Sequence, residues 1–146
     1  MFKNIVVFVP VLMGLCVTSA WAERYLCTYT DRISEWDKIN SQGQSLVSGY
    51  NLSSIAAVIR QDRANFHKFN QRDPEDTDDC AFSSPQNRQL LENFLRHGSV
   101  TKSSLHRIAD GTPLIDVDIY DNHVDVRLQN EAPPRPHIVP NDSSIR

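Results

Sequence analysis

The sequence predicts a small α+β fold: a short antiparallel sheet with a C-terminal hairpin, packed against two or three helices and tied by one disulfide. Three observations predict it. Residues 113–129 alternate about an Asp121-Asn122 turn, residues 53–69 and 84–98 carry apolar side chains at helical spacing, and two cysteines remain once an apolar leader is set aside.

Sixteen of the first 22 residues are apolar, following a single early cation, Lys3. Ala20-Trp21-Ala22 supplies small residues one and three positions before Glu23, as a signal peptidase requires, so residues 1–22 read as a cleaved secretory signal. An uncleaved anchor is the alternative, and Pro10 and Gly14 shorten the apolar run it would need. Leu15 before Cys16 does not suit lipidation. The expected location is periplasmic or secreted, with no membrane span after cleavage. Losing the leader removes Cys16 and leaves Cys27 and Cys80, which in an oxidising compartment should pair. Closing that loop restricts the unfolded chain by roughly 4 kcal/mol. No Cys-x-x-Cys spacing marks the pair as reactive.

Along residues 23–129, expected to form one globular domain, Arg24 to Thr30 alternates Tyr25, Cys27 and Tyr29 with Leu26 and Thr28, as a strand does, and Asp31 can cap the turn that follows. Ile33, Trp36 and Ile39 recur every three residues, predicting a short helix that closes near Gly43, and residues 46–50 suit a second short strand. Asn51 or Ser53 then caps a helix with Ile55, Val58, Ile59, Phe66 and Phe69 inward and Arg60, Asp62, Arg63 and Lys68 outward. Residues 73–79 hold five carboxylates. They lack the sixth-position glycine and twelfth-position glutamate of an EF-type calcium loop, and read instead as a solvated acidic loop. Ser84-Pro85 opens a helix with Leu90, Leu91, Phe94 and Leu95 on one face and Gly98 just past its end. His97 in its last turn suits a capping role at the negative end of the helix dipole.

The hairpin is the most determined element. A two-residue turn at Asp121-Asn122 pairs Ile119 with Val124, Val117 with Val126 and Ile115 with Leu128, which gathers every apolar residue on one face. The polar face then sets Tyr120 opposite His123, Asp118 opposite Asp125 and Asp116 opposite Arg127. Like charges directly across a ladder repel, so something must relieve Asp118 and Asp125. A divalent cation held by Asp118, His123 and Asp125 is one way; Arg107 or Arg127 with solvent screening is the other. Residues 130–146 carry four prolines and should run extended or disordered; Pro133-Pro134-Arg135-Pro136 is also the kind of segment that docks as polyproline.

Trp36, the run Ile39-Asn40-Ser41-Gln42-Gly43-Gln44-Ser45-Leu46-Val47, then Ser104-Leu105-His106, Asp110-Gly111-Thr112-Pro113 and the hairpin together resemble the VirK family of small exported bacterial proteins, named from a plant-tumour virulence regulon. The resemblance covers about half of the chain after the leader, in two pieces that exclude the acidic loop and the Leu90–Leu95 helix. It implies a bacterial, exported, virulence-associated protein and carries no catalytic motif.

A formal net charge of −3 gives no basis for holding a phosphate backbone, so nucleic acid is not an expected partner. The chain has no Gly-rich phosphate loop, no His-Glu-x-x-His and no Gly-x-Ser-x-Gly, and His67, His97, His106, His123 and His137 have no local partner at catalytic spacing. The expected function is therefore a non-enzymatic, cofactor-free accessory protein acting by binding, as an inhibitor or immunity-type partner of another exported or envelope protein. The alternative is a metal-dependent hydrolase built on Asp118, His123 and Asp125.

Overall fold

The computed structural model describes residues 23–130, so the expectations for the leader and for the proline-rich tail beyond Asn130 lie outside the described residues. Three antiparallel strands, β1 (Tyr25–Arg32), β2 (Leu114–Tyr120) and β3 (Val124–Leu128), form one sheet in the order β1-β2-β3. Helices α1 (Leu52–Ala64), α2 (Pro85–Gln89), α3 (Leu91–His97) and α4 (Lys102–Asp110) complete the α+β fold. The hairpin register is the predicted one, with Ile115 opposite Leu128, Val117 opposite Val126 and Ile119 opposite Val124. Its apolar face meets Tyr29 from β1, Ile55, Val58 and Ile59 from α1, and Leu91 and Leu95 from α3 in one buried core. A disulfide joins Cys27 on β1 to Cys80 in the loop before α2, as the sequence predicts. Among the described residues, no helix is long and apolar enough to cross a membrane.

Several local expectations need correction. The three-residue repeat of Ile33, Trp36 and Ile39 yields only a single 3-10 turn, Glu35–Lys38. It ends because the Asn40 carboxamide accepts from the Gln42 and Gln44 amides and folds the chain back, leaving one Ile39–Ser45 bridge and no strand at 46–50. α1 starts as expected, with the Asn51 side chain accepting from the Ser54 amide, and a π-type turn (Asn65–Phe69) extends it until Asn70 adopts φ 54°. Phe69, expected inward, is exposed, whereas Asp62 and Arg63, expected outward, are buried.

The helix expected over 84–98 breaks at Leu90 into α2 and α3, because Arg88 turns inward to donate to the carbonyls of Phe82 (2.7 Å) and Ser83 (2.8 Å) and leaves Leu90 outside. His97 sits exposed in the last turn of α3, where its Nδ1 donates to the Asn93 carbonyl at 2.8 Å. Gly98 is required by close approach: a Cβ there would lie 1.8 Å from the Val124 carbonyl oxygen, which is what lets the end of α3 rest on β3. α4, capped by the Thr101 hydroxyl, has no counterpart in the sequence expectations, although Leu105, Ile108 and Ala109 give it an apolar side at helical spacing.

Candidate functional site

The outer face of the sheet carries the hairpin residues singled out from sequence. Tyr120 and His123 stack in parallel, with ring centroids 4.3 Å apart, and Tyr25 meets Tyr120 edge-on. Arg127 donates to Asp116 at 2.6 Å and to Asp118 at 3.3 Å, while Thr28 and Thr30 on β1 donate to Asp118 and Asp116. Asp118 does face Asp125, and the repulsion is relieved from two sides. Arg127 takes Asp118; the Ser99 amide donates to Asp125 at 2.7 Å, with His123 Nε2 3.9 Å from the same oxygen. Asp118 thus turns to Arg127, while Asp125 turns to the Ser99 amide and His123. The groups of donor atoms that converge within 4.8 Å of one another among the described residues lie elsewhere: His67 with Asp78 and Asp79, and Asp31 with Asp62 and Asp76.

Both of those groups surround Arg63. Its guanidinium is fully buried and donates to Asp31 (2.9 Å, from β1), Asp62 (2.6 Å, its own neighbour) and the Thr77 carbonyl (3.1 Å), with Asp79 at 3.5 Å. The rings of Tyr29 and Phe66 stack against it at 4.4 and 4.5 Å. Asp79 is held in turn by His67 Nε2 at 2.6 Å and by the Ala81 and Phe82 amides. Asp76 accepts from the Arg32 and Asp73 amides. The acidic stretch is thus solvated only in part: Glu75 and Asp78 face water, while Asp79 reaches the buried guanidinium of Arg63 and Asp76 accepts from the Arg32 amide of β1.

Burial governs the protonation of this cluster. Buried away from water and close to Asp62, Asp31 is pushed well above the usual carboxylate range. Burial also lifts Asp62, to about 6, although Arg63 opposes the rise. For Asp79 burial works the same way, but hydrogen bonds from His67 and from the Phe82 and Ala81 amides outweigh it and leave that carboxyl below its ordinary value. Burial would lower Arg63; the phenol of Tyr29 and the carboxylates of Asp31 and Asp62 more than reverse that, so the guanidinium stays charged.

A small cavity of about 110 Å³, lined by Ser34, Asp37, Asp62, Gln71, Asp73 and Asp76 and flanked by Trp36 and Arg72, opens this cluster to solvent. The helical period did contain the signal for it. Asp62 and Arg63 lie between Ile59 and Phe66 at intervals of three and four, on the same stripe as the buried apolar residues.

A second surface feature sits at the turn end of the sheet. Leu26, Leu90, Phe94 and Tyr120 line an apolar groove of about 260 Å³ between the strands and α2–α3. Tyr25 (54% exposed), Leu26 (41%) and Leu90 (45%) leave large apolar side chains in water around it. No protein-family model, no curated protein and no solved structure matches the chain.

Proposed function

We propose that this protein is an exported, disulfide-stapled accessory protein that works by contact with another exported or envelope protein. The observation that carries the reading is the groove at the turn end of the sheet, where Leu26 and Leu90 line it and are both exposed. The Cys27–Cys80 bridge is compatible with an oxidising compartment, and the apolar leader and the resemblance to the VirK family support export. The groove suits an apolar anchor from the partner, ringed by Asn87 and Asp121 for orientation. Affinity purification from the producing cell's envelope should return one partner in stoichiometric amount. The double variant Leu26→Ser/Leu90→Ser, with an unchanged circular dichroism spectrum, should lose it. A complex that survives this change would reject the groove, and a native product with an intact leader and with Cys27 and Cys80 both reduced would reject export.

A further inference from the structure

We propose that the proline-rich segment beyond Asn130 straps back onto its own domain, residues 131–136 filling the cavity between Arg32 and Arg107 with Glu131 paired to Arg107. This cavity measures about 500 Å³, and Pro113, Leu114, Leu128 and Asn130 line it together with the two arginines. It lies where β1 ends and β2 begins, at the opposite end of the sheet from the Asp121-Asn122 turn. The surface is therefore separate from the groove lined by Leu26 and Leu90.

The path of the chain selects the occupant. The Gln129 amide donates to the Leu114 carbonyl at 3.1 Å, and Gln129 and Asn130 then form a turn. The chain thus leaves β3 at the cavity itself, with Asn130 in its wall. A ligand from elsewhere would have to share the space with the residues that follow.

Charge points the same way. Arg32 is committed to Glu75 at 2.7 Å and to the Thr112 carbonyl at 3.1 Å. Arg107, exposed in the last turn of α4, has no side-chain partner among the described residues. Glu131 follows Asn130 by one peptide step, about 3.8 Å between Cα atoms, and supplies a carboxylate of the sign Arg107 needs.

The floor suits what comes next. Pro113 is buried and Leu114 and Leu128 are half-buried, so the cavity offers an apolar base between its charged walls. Pro133, Pro134 and Pro136 stand three, four and six residues past Asn130, about 9–19 Å at the polyproline rise of about 3.1 Å per residue. A polyproline segment has no internal hydrogen bonds to lose and little conformational freedom to surrender, so a shallow apolar floor is enough to hold it.

Nuclear magnetic resonance on the purified full chain tests the strap. Nuclear Overhauser contacts should join the Pro133 and Pro134 ring protons to the Leu114 and Leu128 methyls, and should be unchanged on tenfold dilution. Arg107→Glu should abolish them, and the charge-reversed pair Arg107→Glu/Glu131→Arg should restore them. Absence of these contacts in the wild-type chain overturns the proposal, as does their survival in Arg107→Glu. Contacts found only between differently labelled molecules in a mixed sample would assign the segment to a second copy and overturn the strap equally. Should Arg107→Glu lose its native circular dichroism spectrum, Glu131→Arg, beyond the folded domain, makes the same test: loss of the contacts supports the pairing and their survival rejects it.

Discussion

The polar face of the hairpin and the buried cluster around Arg63 are built from the same residue types, arginine and aspartate, and they teach opposite lessons about how a charge is held. On the hairpin, Arg127 reaches Asp116 and Asp118 across a ladder whose partners are 11 and 9 positions apart, and each group keeps some contact with water. Around Arg63, partners 32 and 16 positions away are brought together with no exposure at Arg63, Asp31 or Asp79. The first is an accessory to a fold already fixed by its apolar face. The second is a condition of the fold, because removing any one charge strands the rest in the interior.

The contrast is broken most directly by deleting each arginine. Arg63→Ala leaves Asp31, Asp62 and Asp79 buried without their shared counter-ion and should lower stability by about 3–5 kcal/mol, read from the urea midpoint. Arg127→Ala leaves Asp116 buried and Asp118 mostly so, but both still accept from Thr30 and Thr28 and keep some contact with water, so the cost should be about 1–2 kcal/mol. Equal losses would mean that burial does not separate the two networks.

Two covalent or steric changes sharpen the same comparison at somewhat smaller size. The double variant Cys27→Ala/Cys80→Ala frees the acidic loop that carries Asp76 and Asp79, and should cost about 3 kcal/mol by denaturation. Amide exchange should quicken around 76–82 before it does so in the hairpin. Gly98→Ala drives a methyl into the Val124 carbonyl, a backbone atom with little room to yield, and should cost about 2–3 kcal/mol. Here the damage should appear at the contact of α3 with β3 and leave the Arg63 cluster closed.

What the sequence made legible follows from range. The hairpin register came from a period of two and a turn dipeptide, both local, and every predicted pair is present. Cys27 and Cys80 were legible despite their separation because few pairings compete. For Asp62 and Arg63, charge argues for the outer face of α1 while helical period places them on the stripe of Ile59 and Phe66, and the period prevails: both are buried. The acidic stretch is solvated at Glu75 and Asp78 as its composition suggests, but the inward turn of Asp76 and Asp79 is not legible, because their partners on β1 and α1 are remote in sequence. α4 is short, but Leu105, Ile108 and Ala109 recur at helical spacing behind the Thr101 cap, so the signal for this helix is present in the sequence. Of the candidate sites, the hairpin trio was visible and the Asp31–Asp62–Asp76 group was not, since it exists only once three segments have folded together.

The smallest effect, and the most specific to the buried cluster, is its dependence on pH. The relevant groups are Asp31 on β1, Asp62 and Arg63 on α1, Asp37 on the 3-10 turn and Asp76 and Asp79 from the loop, with the Tyr29 phenol behind them. Asp62 holds its proton up to about 6 in the folded protein, whereas an unfolded aspartate releases it near 3.8. The folded state therefore binds more protons across that interval, and stability present below it is lost as pH rises through it. Asp31 is shifted in the same direction by burial, and Asp79, held low by His67 and two amides, acts oppositely, losing its contribution only on acidification below the ordinary carboxylate range. Stability should thus fall by on the order of 1 kcal/mol between about pH 4 and 7, a slope that Asp62→Asn flattens and that Asp118→Asn on the hairpin leaves alone. A denaturation series in which stability instead rises over that interval would show that Asp31 and Asp62 are both ionised in the folded protein and that Arg63 alone carries their charge.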